Sequence, residues 1–435
     1  MVAPKLSPAP TVKALSGNRR SSFNALGHRD FRLMWMGQFV SVTGSQMQLV
    51  AINWHVYLLT KSALALGAVG LVRVVPIILC SLLGGVVADA VDRKRLILAT
   101  QVVMLASAGA LSLVTAGGLK SVWPIYLLTV LSSVAVAFEA PARQALLPAL
   151  VPEEDFQNAV SLYMIVFHVS MIAGPALAGL LLNSYNPALI YAINAASFLA
   201  VIVAVLLIRA SGRATRDAEE ASKGVSMSAL GEGLRFVWRT PIIVQTMTLD
   251  FIATFFASAT ALLPIFATEI LRVGARGLGI LAAAPAVGSV LTALVLARLG
   301  QLRRQGAIML GSVAVYGAAT VAFGLSRVFW FSLLMLAVTG MADTVSTVLR
   351  QTIRQLSTPN HLRGRMTSVN MIFFMGGPQL GELEAGAVAY WTGSAMISVV
   401  TGGLGCLLAV ALTAWMAKSL LSYEGNAMKE SVSPE

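Results

Sequence analysis

The sequence predicts an all-α membrane protein, with twelve transmembrane helices in two six-helix bundles related as a repeat. Three observations predict it. Of 435 residues, 57% are hydrophobic and only 11% charged, where a water-soluble chain carries about 25% charge. The apolar residues gather into twelve runs, each able to supply the ~20 residues that cross a hydrocarbon core. The second half of the chain also repeats landmarks of the first.

Residues 1–30 are polar, proline-containing and basic, and read as a cytoplasmic tail rather than a cleaved signal. Apolar spans follow at 31–58, 64–88, 96–117, 122–148, 158–183 and 188–208, forming an N-terminal bundle over 31–208. Residues 209–240 break the pattern with RASGRATRDAEEASKG and a short amphipathic stretch, LGEGLRFVWR, and read as a cytoplasmic linker. Six more spans, at 241–268, 277–299, 305–326, 330–357, 366–391 and 395–418, form a C-terminal bundle over 241–418, and 419–435 is a second cytoplasmic tail. Trp35, Trp54, Trp123, Trp330 and Trp391 lie near span ends, where most of them serve as interface anchors.

Arg143-Gln144 matches Arg350-Gln351 at an offset of 207, which also takes Pro152 to Pro359 and lays GPALAG (174–179) on GELEAG (381–386). Leu66-Gly67 matches Leu278-Gly279 at an offset of 212, and Gln38 then falls on Asp250. Duplicated six-span units are the architecture of transporters that rock two halves about a midplane site.

The net charge of +12 suggests nucleic acid until its placement is read. With the N-terminus inside, only Lys61, Lys120, Arg272, Arg276 and Arg327 of the 31 Lys and Arg fall outside, and Arg73 lies within a span. The remainder collect on the side of the termini, which sets both termini in the cytoplasm of a bacterial inner (plasma) membrane. The positive charge is thus a topology signal, with no nucleic-acid partner implied. Cys80 and Cys406 sit in apolar runs, and His28, His55, His168 and His361 have no metal-binding spacing, so no metal site or cofactor is expected. There is no phosphate-binding loop and no nucleophile–base constellation, which argues against an ATPase and against an enzyme.

Ionisable residues inside spans are expensive and call for a function. Asp250 lies nine residues into span 7, about 14 Å deep, and Asp343, Glu382 and Glu384 lie about 20–27 Å along spans 10 and 11. Glu139 is one turn before Arg143, spaced for a helical ion pair, so a structural pair competes with a coupling role. Arg73 reads as a counter-ion to one of these acids, with an anion-binding or snorkelling cation as alternatives. Glu382 and Glu384 point about 200° apart, so one faces the cavity and the other a neighbouring helix. Asp250, Asp343, Glu139, Glu382, Glu384, Arg73 and Gln38 are therefore the candidates for touching substrate or protons. The excess of acid over base favours a neutral or cationic cargo. His55 and His168 read either as proton shuttles or, more simply, as hydrogen-bonded packing residues.

Between spans 2 and 3 stands GGVVADAVDRKRL. An ordinary positive-inside loop with an N-cap explains Arg93 to Arg95 but not Gly85 and Asp89; Gly85 would admit a close neighbouring helix. The spacing GxxxDxxDRKR resembles motif A of the major facilitator superfamily. That resemblance makes Gly85, Asp89 and Arg93 a conformational latch, with Asp89 docking on the start of span 11 near Met366; Ala90 stands where the family often has a basic residue. FEAPARQALLPALVPEEDFQNAVSL, LTKSALALG and LRGRMTSVNMIFFMGGPQLG are similar to the transmembrane secretion effector branch, which includes enterobactin exporter-like and macrolide efflux-like proteins. SMIAGPALAG (170–179), with Gly174, Pro175 and Gly179, resembles the span-five motif of proton-coupled exporters, although Ser170 and Ala178 replace two of its glycines. Glu382 and Glu384 depart from the branch's pattern.

The resemblance implies a monomeric secondary transporter in the lipid bilayer that exports a small amphiphilic molecule, drug-like or siderophore, in exchange for protons by alternating access. An importer or lipid flippase on the same scaffold, or a non-transporting membrane sensor, are the alternatives.

Overall fold

A computed structural model of the chain describes residues 23–212, 227–258, 260–299, 303–359, 362–421 and 423. Most of the basic N-terminal tail, residues 213–226 of the linker, His361 and nearly all of the C-terminal tail lie outside these residues. The spans are long helices: Arg29–Thr60, Ala63–Ala90, Arg93–Ala116, Trp123–Leu146, Phe156–Leu182 and Pro187–Leu207 for spans 1–6. Span 7 begins as Pro241–Phe256, and spans 8–12 are Gly274–Leu299, Gln305–Leu325, Phe329–Leu356, Arg363–Thr392 and Ala395–Met416. Ten helical segments among the described residues are long and apolar enough to cross a membrane. The remaining two, spans 1 and 11, run 32 and 30 residues with more polar side chains, as fits helices that face other protein rather than lipid.

Local chemistry sets the ends. The Ser62, Asp92, Asn186 and Ser394 side chains accept backbone N–H bonds at the starts of spans 2, 3, 6 and 12, the N-cap arrangement that satisfies orphan donors. Spans 1 and 11 stop where Lys61 and Gly393 turn left-handed at φ 50° and 67°. The amphipathic linker stretch forms a helix, Met227–Arg239, whose Val237 packs on Ile243 and Met247 of span 7 and on Met366 and Val369 of span 11. Trp123, Trp330 and Trp391 are 72–80% exposed, as interface anchors should be. Trp35 instead donates to the Leu162 carbonyl at 3.0 Å and packs within the bundle.

The sequence predicts one unbroken span 7; the structure breaks it. The first helix ends at Phe256, and the chain resumes as a 3₁₀ turn at Thr260–Leu262, a helical turn at Leu263–Ile265 and a π turn at Phe266–Ile270. The break is tolerated because other spans satisfy its polar groups. Tyr316 of span 9 donates to the Ala257 carbonyl at 3.3 Å, and Ser258 donates to the Pro378 carbonyl of span 11 at 3.0 Å. Hydropathy is blind to this, since every residue of the break is apolar or small; Pro264 is the one sequence signal, because it cannot donate to the preceding turn.

Spans 1–6 pack on one another, as do spans 7–12, and the two sets meet chiefly where span 2 lies along span 11 and span 5 along span 8. Among the described residues, a buried apolar cluster joins both sets at the end away from the termini: it holds Val56, Tyr57, Leu66 and Ala178 with Phe266, Leu278, Leu281 and Ala385. The clusters nearer the termini each draw on one set alone. The far end is therefore closed, and among the described residues the two halves share no buried apolar cluster at the termini end.

Candidate functional site

The repeat reappears in three dimensions. In the first half, Arg143 of span 4 reaches Gln38 of span 1, with Nη1 donating to Oε1 at 3.3 Å. In the second half, its mate Arg350 of span 10 reaches Asp250 of span 7, the mate of Gln38, with Nη2 2.9 Å from Oδ1. Each arginine recruits a further acid from its own helix. Arg143 Nε lies 3.0 Å from Glu139 Oε1, and Arg350 Nη2 lies 3.5 Å from Asp343 Oδ1. Tyr163 of span 5 completes the first cluster, its ring under the Arg143 guanidinium at 4.9 Å and its hydroxyl 3.5 Å from Gln38 Oε1. Thr347 completes the second, accepting from Arg350 at 2.8 Å.

The two clusters differ in exposure. The Asp250 and Arg350 side chains are 4% and 2% exposed, while Asp343 is 48% exposed. Asp343 does not face lipid. The exposed apolar face of span 10 carries Leu334 and Val348, and at 100° per residue Asp343 lies about 180° and 140° from them. The second oxygen of Asp250, Oδ2, is buried with no hydrogen-bond partner among the described residues. Arg354, one turn beyond Arg350, is also buried and donates to Asn370 of span 11.

These arginines correct the charge expectation. Read from sequence, Arg143, Arg350 and Arg354 belong to the inner ends of spans 4 and 10, and the embedded acids outnumber the bases. Folded, all three reach inward, so Glu139, Asp250 and Asp343 stand among cations. The balance no longer favours a cationic cargo.

A third group lies at the closed end. Glu382 of span 11 accepts from Thr260 at 3.3 Å and faces Arg73 of span 2, within Coulombic reach across the two halves. It approaches so closely that a Cβ on Gly70 would sit 2.6 Å from its Oε2. Glu384 shares none of these contacts, as the angle between the two positions requires. His55 bonds the Tyr191 hydroxyl at 3.2 Å in the core, and His168 packs edge-on to Phe167.

The seam of the closed end is built from repeat mates. A Cβ on Gly279 of span 8 would lie 2.6 Å from Gly179 Cα of span 5, and one on Gly386 of span 11 would lie 2.9 Å from Gly67 Cα of span 2. The 207 and 212 offsets convert the first crossing into the second. Gly174, by contrast, faces span 1, where a Cβ would meet the Gln46 Cβ at 2.5 Å, and Ser170 bonds Thr43 at 2.9 Å. Pro175 presents its carbonyl to Gly279.

At the termini end, Asp92 caps span 3 and Arg93 donates to the Ala145 carbonyl of span 4 at 2.9 Å. The Asp89 side chain lies outside the described residues. The close approach expected at Gly85 is found at Gly84, where a Cβ would meet the Ala137 carbonyl at 2.3 Å, whereas among the described residues nothing lies within 4 Å of one on Gly85. Gly84→Ala is accordingly expected to lower stability by about 1–3 kcal/mol through overpacking, and Gly85→Ala to leave it unchanged. Thermal unfolding of the two purified variants checks this.

Comparison with known proteins agrees with this architecture. Residues 20–433 match the transmembrane secretion effector family. Curated relatives include the multidrug efflux pump Tap of Mycolicibacterium fortuitum, 26% identical over 80% of this chain and 86% of the relative. The enterobactin exporter EntS of Escherichia coli O81 (strain ED1a) is 26% identical over 88% of this chain and 86% of the relative. Among solved structures, a bacterial homologue of the human lysosomal transporter Spinster, in an inward-facing and occupied conformation, superposes with a TM-score of 0.70 at 13% identity, over 90% of this chain and 98% of that one. A POT family transporter bound to a thioalcohol-conjugated peptide gives 0.71 at 10% identity, over 92% and 100%. These two likenesses show the fold. With two repeat-related bundles, a seam closed at one end and paired charges between the spans, the chain belongs to the transmembrane secretion effector family and is a multi-pass efflux transporter of the major facilitator superfamily, not an enzyme.

Proposed function

We propose that this protein exports a small amphiphilic molecule across the bacterial inner membrane in exchange for protons, as a monomer with both termini in the cytoplasm. The placement of Lys and Arg supports that orientation. The closed end then faces outward, and the structure corresponds to an inward-facing state of a rocking cycle.

The observation that carries the proton reading is the chain Asp250–Arg350–Asp343. Asp250 is sealed and Asp343 is half exposed, yet both bear on one guanidinium. Protonating either acid weakens its hold on Arg350 and changes the charge offered to a substrate, so the two ligands compete through one group. The unpartnered Oδ2 of Asp250 has room in its bonding for a proton. Drug-like compounds and siderophores are the cargo classes suggested by the two relatives. The balanced charges accommodate both, and Arg143, 21% exposed beside Tyr163, offers a cation to an acidic cargo.

Asp343→Asn tests this in an efflux-deficient host challenged with a panel of toxic amphiphiles. The wild-type chain is expected to raise tolerance to at least one compound. The variant, present in the membrane at equal abundance, is expected to lose that gain; an undiminished gain contradicts the assignment.

A further inference from the structure

Tyr57 at the far end of span 1 and Glu269 on the π turn of span 7 are separated by 212 residues, the offset that relates the two halves. They are therefore repeat mates, and they meet each other across the halves. The Tyr57 hydroxyl donates to Glu269 Oε1 at 2.5 Å and accepts from Thr268 at 3.0 Å. The Lys61 ammonium lies over the Tyr57 ring at 4.3 Å. Two identical residues at these positions would form no directed charge-assisted bond; tyrosine facing glutamate does. Tyr57 is 2% exposed, whereas Glu269 is exposed on the far face. The π turn, closed by the Leu271 N–H on the Phe266 carbonyl at 2.8 Å, widens the helix at this point, and such turns recur at functional sites.

We propose that Glu269 is an external proton-binding site that locks the outer end shut through Tyr57 when ionised and releases it when protonated. The inference rests on the rocking cycle proposed above. In the protonation step a hydronium ion gives its proton to the Glu269 carboxylate, and the Tyr57 hydroxyl keeps its own. The bond across the seam then loses its charge assistance, and charge-assisted bonds are about twice as strong as neutral ones. The Thr268–Tyr57 hydrogen bond and the Arg73–Glu382 attraction also cross the halves at this end and must part in the same opening. The charged groups nearest Glu269 along the elements that meet it are Lys61 beside Tyr57, Arg272 just after the π turn, and Arg276 on span 8, the helix packed against the π turn; all three are exposed cations. His55 is two residues from Tyr57 but bonds Tyr191 of span 6, so a response that survives loss of Glu269 points to it.

The test uses the full chain in lipid nanodiscs with Cys80 and Cys406 replaced by alanine. Spin labels are placed through Lys120→Cys, in the exposed loop between spans 3 and 4, and Arg327→Cys, in that between spans 9 and 10. Distances are measured at neutral and at acid pH. Acid is expected to shift the otherwise wild-type chain to longer distances. Glu269→Gln and Tyr57→Phe are expected to show the longer distance at both pH values, and Glu269→Asp to keep the pH response. Gly279→Leu, which bars the seam from closing, serves as the open reference. If that reference does not lengthen, the rocking cycle itself fails. If it lengthens but Glu269→Gln and Tyr57→Phe follow the wild type at both pH values, or if Glu269→Gln still responds to acid, the lock alone is overturned.

Discussion

Arg350→Ala is expected to abolish export and to destabilise the protein by about 3–5 kcal/mol, the cost of leaving a buried charge without its partner. Arg350 is 2% exposed and is the cation nearest to both Asp250 and Asp343. Its removal leaves Asp250, 4% exposed, with a charge it cannot hydrate. Asp250→Asn separates fold from function. The amide keeps the shape, and Arg350 retains Asp343 and Thr347, so the variant is expected to fold normally while export falls at least tenfold, about 1.4 kcal/mol of lost transition-state stabilisation. Thermal unfolding in detergent alongside cellular efflux checks both. A stable, active Arg350→Ala protein would mean that the cluster is neither structural nor functional.

The second large effect concerns the seam. Gly279→Leu is expected to eliminate export while leaving the protein folded. A Cβ at Gly279 would lie 2.4 Å from the Pro175 carbonyl and 2.6 Å from Gly179 Cα, distances that backbone cannot relieve by rotating a side chain. The closed far end becomes unreachable, but the two bundles are each intact and can stay apart at that end. Gly67→Leu, at the repeat-related crossing with Gly386, is expected to do the same. A site-specific label that reacts from outside, combined with efflux, distinguishes this from misfolding. Full export by both variants would show that closure at these crossings is not part of the cycle.

Much of the fold was legible in the sequence because the bilayer leaves few choices: apolar runs of sufficient length become helices, and duplicated landmarks become duplicated bundles. Asp250 was legible for the same reason, as a charge at a depth where charge is costly and opposite a polar mate, Gln38. Arg350 was not. From the sequence it belongs with the basic residues that mark the cytoplasmic ends of spans, and nothing in a hydropathy pattern says whether such a side chain turns outward to the headgroups or inward to an acid. The repeat alignment put Arg143 and Arg350 in register without indicating what they touch. The break in span 7 escaped because Ala257 and Ser258 carry no signal and the compensating partners, the Tyr316 hydroxyl as donor and the Pro378 carbonyl as acceptor, come from other spans. Glu269 escaped with it. It lies just beyond the predicted end of span 7, and the π turn at Phe266–Ile270 brings it to face Tyr57.

The most direct test of proton-driven export is a flux measurement in proteoliposomes of the purified chain. A pH gradient is imposed, and the movement of protons and of a fluorescent amphiphile identified by the toxicity panel is followed together. The dye is expected to move against the protons, and Asp250→Asn with Asp343→Asn to abolish the coupled movement. Dye travelling in the same direction as the protons, or a gradient-driven flux that persists undiminished without both acids, would contradict proton-coupled export through this site.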